Sequence, residues 1–251
     1  MLLVNSSRAH VDIQRSFSLL PGSFLITNAL NVIGNETILI MKGMLNSVIV
    51  STCTVILSVY FSALTAYAIH AYDFKMKKVA FAFILLIMTI PTQVTALGFI
   101  NLVNKMGLMD NFVPLIIPSI AAPAVFFYLK QYMDSNLSLS LIEAARIDGA
   151  SEFMTFNQIV LPLMKPAIAV QAIFTFVSSW NNYFTPALIL HKDTMKTLPI
   201  LIAQLRSADF LKFDMGQVFM MISFSIFPVI LVYLFLSKNI VGGVAAGGVK
   251  E

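Results

Sequence analysis

The chain has 251 residues, of which 58% are hydrophobic and only 11% are charged, and its formal net charge is +4. Its mean hydropathy is +0.86, whereas a soluble domain carries about 25% charged residues, so this composition excludes an ordinary soluble protein and predicts one membrane domain. A single cysteine excludes an intrachain disulfide, and the three scattered histidines predict no metal site. The basic residues form no patch interleaved with aromatic residues, so nucleic acid is not an expected ligand. No cofactor is expected either.

The sequence predicts an all-α bundle with five membrane-spanning helices, because roughly 20 apolar residues are needed to cross a bilayer. The five predicted spans are residues 45–69, 79–103, 112–129, 167–190 and 218–237. Small residues recur at four-residue spacing along the first span: Thr54, Ser58, Ser62 and Ala66. This stripe predicts close packing against another helix. Prolines in the other four spans predict kinks.

The segment before the first span, residues 1–44, is not predicted to cross the membrane. Its apolar stretch at 19–33 is interrupted by Pro21 and Gly22, and charged residues lie on both sides of that stretch. It also lacks the positive start and unbroken apolar core of a secretory signal. We therefore predict a separate N-terminal segment, followed by a membrane domain over 45–237 and a short tail over 238–251.

The 16 basic and 12 acidic side chains all lie outside the five predicted spans. Ion-coupled carriers and pumps usually place an ionisable group within the membrane as a relay or an ion ligand. The distribution therefore predicts that the driving energy for any transport comes from outside this chain. An ion-coupled secondary carrier remains the alternative of a different class.

A polar loop at 130–166 separates the third and fourth spans and has its own helix pattern. Ser140 and Glu143 match a capping box, which predicts a helix that starts just before an alanine pair. Asp148-Gly149 predicts a turn, and Ser151 is the predicted N-cap of a second helix. The apolar face predicted for this second helix consists of Phe153, Phe156 and Ile159, and Pro162 and Pro166 end it. From these residues alone, the loop is an amphipathic helix–turn–helix, which needs no partner if it lies at the membrane interface.

Residues 143–162 read EAARIDGASEFMTFNQIVLP. This spacing resembles, at each defining position, the EAA loop of the inner-membrane subunits of binding-protein-dependent ABC importers. The resemblance implies that the loop is cytoplasmic and couples this chain to a separate ATPase. The coupling residues implied are Glu143, Ala144, Ala145, Asp148, Gly149, Ile159, Leu161 and Pro162. The chain itself is then not an enzyme, and it contains no glycine-rich loop with the spacing of a nucleotide phosphate site.

Two further stretches resemble the carbohydrate branch of this family, and in particular its maltose-type subunits. They are FTFVSSWNNY at 174–183 and the glycine-rich VGGVAAGGVK at 241–250. The resemblance implies that the tail contacts the ATPase subunits through Gly247, Gly248 and Lys250, whereas a frayed terminus is the ordinary alternative. A permease of the same superfamily for a non-sugar solute, such as an amino acid or phosphate, remains open.

The resemblance also implies a location and a set of partners. The expected location is the bacterial inner membrane, with residues 1–44 outside the cell and the tail in the cytoplasm. The expected partners are a second permease subunit, an ATPase dimer, an external solute-binding protein and a sugar. The family normally has six spans, so the sequence predicts that its first span is missing here. Either the start codon lies further upstream, or the subunit is shorter than its relatives.

Two polar groups at membrane depth are candidates for the substrate path. Gln93 follows Pro91 in the second predicted span, and Trp180, Asn181, Asn182 and Tyr183 lie in the fourth. Amides exchange hydrogen bonds with sugar hydroxyls, and aromatic faces stack on sugar rings. The alternative is that these residues form an interfacial belt or join helices by hydrogen bonds.

Overall fold

The computed structural model describes residues 1–35, 39–207 and 214–247, and all regular structure within these ranges is helical. The first helices are α1 Leu2–Asn5, α2 His10–Arg15, α3 Leu25–Ile33, α4 Ile40–Ala71, α5 Lys77–Ile87, α6 Thr92–Lys105 and α7 Val113–Ile116. After a 3₁₀ turn at Ile117–Ile120 come α8 Pro123–Asn136, α9 Leu139–Ile147 and α10 Glu152–Met154. A π-helical segment, Thr155–Val160, leads to α11 Leu161–Leu163, α12 Lys165–Trp180 and α13 Phe184–Ile189. A 3₁₀ turn at Asp193–Met195 precedes α14 Leu198–Ser207 and α15 Met215–Gly247.

The all-α prediction is confirmed for the described residues, but the count of five continuous spans is not. Three stretches are long and apolar enough to cross a membrane: Ile40–Ala71, Val113–Asn136 and Met215–Ile240. A fourth crossing is reached if Glu152–Leu163 and Lys165–Trp180, which meet at an angle of 79°, count as one bent span. These findings support a multi-pass membrane protein with three or four such helices.

The second predicted span, residues 79–103, consists of two shorter helices, α5 and α6. They are separated at Pro91, which precedes α6 with extended backbone angles of φ −62° and ψ 130°. Proline has no N–H for the helix ladder, and it disfavours helical geometry in the residue before it. The predicted kink is therefore a complete break, and neither helix alone is long enough to span.

The long helix α4 is the centre of the bundle, with α8 and α12 packed against it. The predicted stripe of small residues lies at this interface, where Ser58, Ser62 and Ala66 are buried. The Ser62 hydroxyl donates a hydrogen bond to the carbonyl of Ala122 over 3.3 Å. The prediction of close helix packing is confirmed at these three positions.

The N-terminal segment is an ordered cap on the beginning of α15. Arg8 is only 6% exposed, and its guanidinium donates to the carbonyl oxygens of Asp12 and Ser16 at 2.8 and 2.9 Å. The N–H of Met215 donates to His10 Nδ1 over 3.0 Å. Because these bonds satisfy a buried cation and the first turn of α15, the cap positions the start of the last long helix.

Gly216 lies where this cap touches α15, so we expect Gly216→Ala to destabilise the protein. A Cβ at this position would lie 2.6 Å from Asn28 Nδ2 and 2.7 Å from the carbonyl oxygen of Arg8. Overpacking of this kind costs about 1–3 kcal/mol, which a lower melting temperature of the detergent-purified protein would report. Gly98→Ala is the matched control, since a Cβ there meets nothing within 4 Å. Equal melting temperatures for the two variants would contradict the packing described here.

Candidate functional site

The polar loop between α8 and α12 folds as two helices joined by a turn. The hydroxyl of Ser138 accepts a hydrogen bond from the N–H of Ser140 over 3.3 Å and caps α9. The helix therefore begins two residues before the predicted capping box, because Ser138 is the first extended residue able to cap after α8 ends. Gly149 forms the turn with a φ of +82°, which glycine adopts at no steric cost. Ser151 accepts from the N–H of Met154 and caps α10, as the sequence predicts.

The apolar face predicted for the second helix is wrong, because its aromatic residues point to different sides. Phe153 is 71% exposed, whereas Phe156 is 1% exposed and packs against the rings of Tyr60 and Tyr67. The α-helix gives way at Thr155 to a π-helix, whose wider i→i+5 turns change which residues share a face. The change of helix type therefore places Phe156 in the core, although it lies only three residues after the exposed Phe153.

Most of the predicted coupling residues are accessible. Five of the eight predicted coupling residues are exposed: Glu143, Ala144, Asp148, Gly149 and Pro162. Ile159 and Leu161 are half-buried, and Ala145 is buried. The Glu143 carboxylate forms no hydrogen bond or ion pair with the described part of the chain. Large apolar side chains are also exposed on these helices: Leu139, Leu141, Ile147, Phe153, Met154 and Leu163. We call these six apolar residues, together with Glu143 and Ala144, the coupling surface, after the role that the sequence predicts for this loop.

Ile147 is the most exposed large apolar residue of the coupling surface, at 86%. It directly precedes Asp148 and the turn at Gly149, and the charged residue Arg146 lies on its other side. Charged residues on either side place Ile147 outside the hydrocarbon of the bilayer, since burying such charges in lipid is costly. A single exposed apolar side chain needs no explanation, but six of them on one short loop are typical of a protein-contact site.

A charged clamp joins the coupling surface to the central helix α4. The Glu152 carboxylate accepts a hydrogen bond from Arg146 Nε through Oε1 and another from the Tyr67 hydroxyl through Oε2, each over 2.7 Å. The guanidinium of Arg146 also lies over the ring of Tyr72, 5.2 Å from its centre. Glu152 thus joins α9, α10 and the end of α4 in one network, which we call the Glu152 clamp.

The hydrogen bond from Arg146 lowers the pKa of the Glu152 carboxyl to about 2, against an ordinary value of 4.5, and the bond from Tyr67 acts in the same direction. The same carboxylate raises the pKa of Arg146 further above its ordinary value. Both partners are therefore charged at neutral pH, and the clamp does not open by proton uptake in the physiological range.

A second link joins the end of α4 to the end of α8. The two ring nitrogens of His70 lie 2.9 Å from Asp134 Oδ1 and 3.1 Å from the carbonyl oxygen of Leu137. Lys130 also forms an ion pair with Asp134. Leu137 directly precedes Ser138, the N-cap of α9, so the end of α4 contacts the loop near its beginning through His70 and near its middle through Tyr67.

A large cleft with both polar and apolar walls lies on the other side of the bundle. It has a volume of about 820 Å³ and lies between α4, α6, the α7–α8 region and α12. Its polar lining consists of hydroxyls and amides: Ser47, Ser51, Thr54, Gln93, Thr95, Gln171, Thr175, Ser178, Ser179, Asn182, Thr185 and Thr197. Phenylalanines at 99, 174 and 184 add aromatic faces. Among the described residues that line the cleft, none carries a formal charge.

The predicted substrate-path residues are divided between two cavities. Gln93 and Asn182 line the large cleft, whereas Trp180, Asn181 and Tyr183 line a separate cavity of about 330 Å³. Trp180 is buried, stacks on Phe176 and donates its indole N–H to the carbonyl of Ser225 over 3.1 Å. Because α12 ends at Trp180, Asn182 lies beyond the helix, where the chain turns towards the other cavity.

The predicted ATPase-contacting tail lies largely outside the described residues, which include neither Gly248 nor Lys250. Gly247 is the last residue of α15. The helix thus continues through the first ten residues of the predicted tail.

Comparison with known proteins identifies the class to which this fold and loop belong. The family model described as binding-protein-dependent transport system inner membrane component matches residues 58–244. The chain belongs to this family of multi-pass inner-membrane transport components, which confirms the resemblance drawn from the EAA loop.

Two relatives and one solved structure are similar to this chain over most of its length. The chain is 36% identical to the arabinooligosaccharides transport system permease protein AraQ of Bacillus subtilis over 212 residues, which cover 83% of this chain and 73% of AraQ. It is 29% identical to the sn-glycerol-3-phosphate transport system permease protein UgpE of Yersinia pestis over 234 residues, 92% of this chain and 83% of UgpE. A crystal structure of a bacterial ABC transporter involved in the import of the acidic polysaccharide alginate matches the fold. Its TM-score is 0.81 at 23% identity, with coverage of 94% of this chain and 88% of the other.

Proposed function

We propose that this chain forms one half of the translocation pore of an ATP-driven importer for a neutral oligosaccharide. The observation that carries the proposal is the cleft of about 820 Å³, whose described lining offers hydroxyls, amides and aromatic rings without a formal charge. Such a lining exchanges hydrogen bonds with sugar hydroxyls and packs against sugar rings. Anionic solutes usually require arginine or lysine partners, which this lining does not supply.

The relatives support a sugar as the class of substrate, and the uncharged lining of the cleft favours a neutral sugar over an acidic one. AraQ, the more similar of the two named relatives, is a permease for arabinooligosaccharides by its description. UgpE and the alginate importer are described as handling a phosphate ester and an acidic polysaccharide. The uncharged cleft favours the neutral class, and an amino acid or phosphate permease is the less favoured alternative.

The energy for transport is proposed to reach the pore through the coupling surface. A separate ATPase dimer docks on Glu143, Ala144 and the exposed apolar residues around Ile147, and the Glu152 clamp transmits its movement to α4. The remaining partners are a second permease, which completes the pore, and an external solute-binding protein. In this arrangement the broken α5–α6 pair counts as one crossing and α12–α13 as another, which gives five in total.

The test is uptake of labelled arabinotriose into proteoliposomes that contain this chain with its partner permease, ATPase and binding protein. We expect ATP-dependent uptake that is inhibited by excess unlabelled arabinotriose and not by an equal concentration of glycerol 3-phosphate or an alginate trisaccharide. Inhibition by the anionic solutes alone would contradict the proposal of a neutral substrate.

A further inference from the structure

An apolar groove of about 450 Å³ lies where the long helices α4, α12 and α15 meet. Its lining consists of eight apolar side chains and one threonine: Thr52, Val55, Ile56, Ala172, Phe176, Leu231, Val232, Phe235 and Leu236. Ile56 is 60% exposed and Phe235 is 69% exposed, so the groove opens at the lateral surface of the bundle. In a bilayer, an opening on this surface is accessible to the acyl chains of lipids.

The groove is confined to one leaflet of the bilayer. With a rise of about 1.5 Å per residue along α15, residues 231–236 lie roughly 24–32 Å from Met215, and Lys238 lies roughly 35 Å from it. The hydrocarbon core of a bilayer is about 30 Å thick, so Lys238 lies at the depth of the lipid headgroups. Trp180, at the end of α12, bonds to Ser225 in the first half of α15. The two helices are therefore antiparallel, and Lys238 lies on the side of the membrane where α12 begins, next to the EAA loop.

Two lysines lie at this end of the groove. Lys238 is exposed, and its Nζ lies 5.1 Å from the centre of the Phe235 ring, which lines the groove. Leu231, Phe235 and Lys238 recur at four and three residues, so they share one face of α15. Lys165 is exposed at the start of α12. Neither lysine forms an ion pair with the described part of the chain, and the helices α4, α12 and α15 contain no aspartate or glutamate.

We propose that the groove binds an acyl chain of an anionic phospholipid, whose phosphate pairs with Lys238 and Lys165. Basic sites between transmembrane helices at the membrane surface bind anionic headgroups. The groove supplies the apolar contact, and the lysines favour the anionic lipid over a zwitterionic one. A partner's transmembrane helix would need a contact along the whole of α15, whereas the groove is a short stretch beside the two cations. The lipid holds α15 against α4 and α12, and this role does not depend on which solute is transported.

The fluorescence of Trp180 reports on occupation of the groove. Trp180 is the only tryptophan of the chain, and its ring stacks at 5.6 Å on Phe176, which lines the groove. The purified full chain is placed in phosphatidylcholine vesicles that contain a minor fraction of either brominated phosphatidylglycerol or brominated phosphatidylcholine. Bromine atoms on an acyl chain in the groove quench the fluorescence. We expect phosphatidylglycerol to reach half-maximal quenching at a fraction on the order of tenfold lower, because two lysines attract its headgroup.

Three variants separate the headgroup contact, the groove and general surface charge. Lys165→Gln/Lys238→Gln should be quenched equally by the two lipids. Thr52→Phe places a ring in the groove and keeps both lysines, and it should weaken quenching by phosphatidylglycerol. Lys75→Gln/Lys78→Gln is the matched control, because it removes two exposed lysines from the connection after α4, on the same side of the membrane. The control should keep the wild-type preference.

Equal quenching of the wild type by the two lipids would overturn the proposal. Loss of the preference in the control would overturn it as well, since the attraction would then come from general surface charge. Native mass spectrometry of the complete transporter tests the groove in the assembly, where we expect the wild type to retain more phosphatidylglycerol than Lys165→Gln/Lys238→Gln. Equal retention by these two transporters would mean that a partner subunit covers the groove, and the lipid site would be excluded.

Discussion

Replacing Ile147 with aspartate is expected to abolish ATP-driven uptake while the protein remains in the membrane at its normal level. Ile147 is 86% exposed beside the turn of the EAA loop, so its side chain contributes nothing to the core of this chain. In the proposed complex it is buried against the ATPase, where an unpaired carboxylate would be strongly unfavourable. Central apolar contacts of this kind are worth about 2 kcal/mol or more, which corresponds to at least a thirtyfold loss of affinity.

Co-purification of the ATPase with this chain measures the effect directly, with arabinotriose uptake as a second readout. Ile147→Leu is the matched control, because it keeps an apolar side chain of the same size, and it should retain both properties. An Ile147→Asp variant that still binds the ATPase and transports at the normal rate would show that the coupling surface lies elsewhere.

Replacing Glu152 with lysine is expected to separate ATP hydrolysis from transport. The change removes the hydrogen bonds from Arg146 and Tyr67 and places a second cation beside the Arg146 guanidinium. The coupling surface keeps its exposed residues, so the ATPase still binds and hydrolyses ATP. Its movement no longer reaches α4, and we expect uptake to fall at least tenfold while hydrolysis continues.

Tyr67→Phe is the graded control, because it removes one of the two bonds and retains the ring packing on Phe156 at 5.5 Å. Its uptake should lie between those of the wild type and Glu152→Lys. Parallel loss of hydrolysis and uptake in both variants would indicate a folding defect and contradict a transmission role for the clamp.

The pH dependence of the clamp follows from the lowered pKa of Glu152. A carboxyl whose pKa is lower in the folded protein stabilises it above the ordinary value of 4.5, and this stabilisation is lost as the pH falls towards 2. The difference in melting temperature between wild type and Glu152→Gln should therefore be constant from pH 6 to 8.

The helical class and the EAA loop could be predicted from the sequence because both depend on local patterns. Long apolar runs define α4 and α15, and Gly149 in the turn and the Ser151 cap follow from the preferences of single residues. The break at Pro91 was less predictable, since proline can either kink or end a helix within a membrane.

Features that depend on tertiary packing could not be predicted in this way. The hydrogen bond between Tyr67 and Glu152 joins residues 85 positions apart. The π-helical segment that buries Phe156 has no simple sequence pattern. Trp180 and Asn182 lie only two residues apart in the sequence, yet the end of α12 directs them into different cavities.

In the proposed transporter, ATP hydrolysis on another subunit drives a neutral sugar through a pore formed in part by this chain. The most direct test measures arabinotriose uptake into proteoliposomes that contain the complete transporter and a fixed internal ATP concentration, with and without a protonophore. We expect uptake that requires hydrolysable ATP and is unchanged by the protonophore, because the predicted spans carry no ionisable relay. Uptake that persists without ATP and collapses when the proton gradient is dissipated would contradict it.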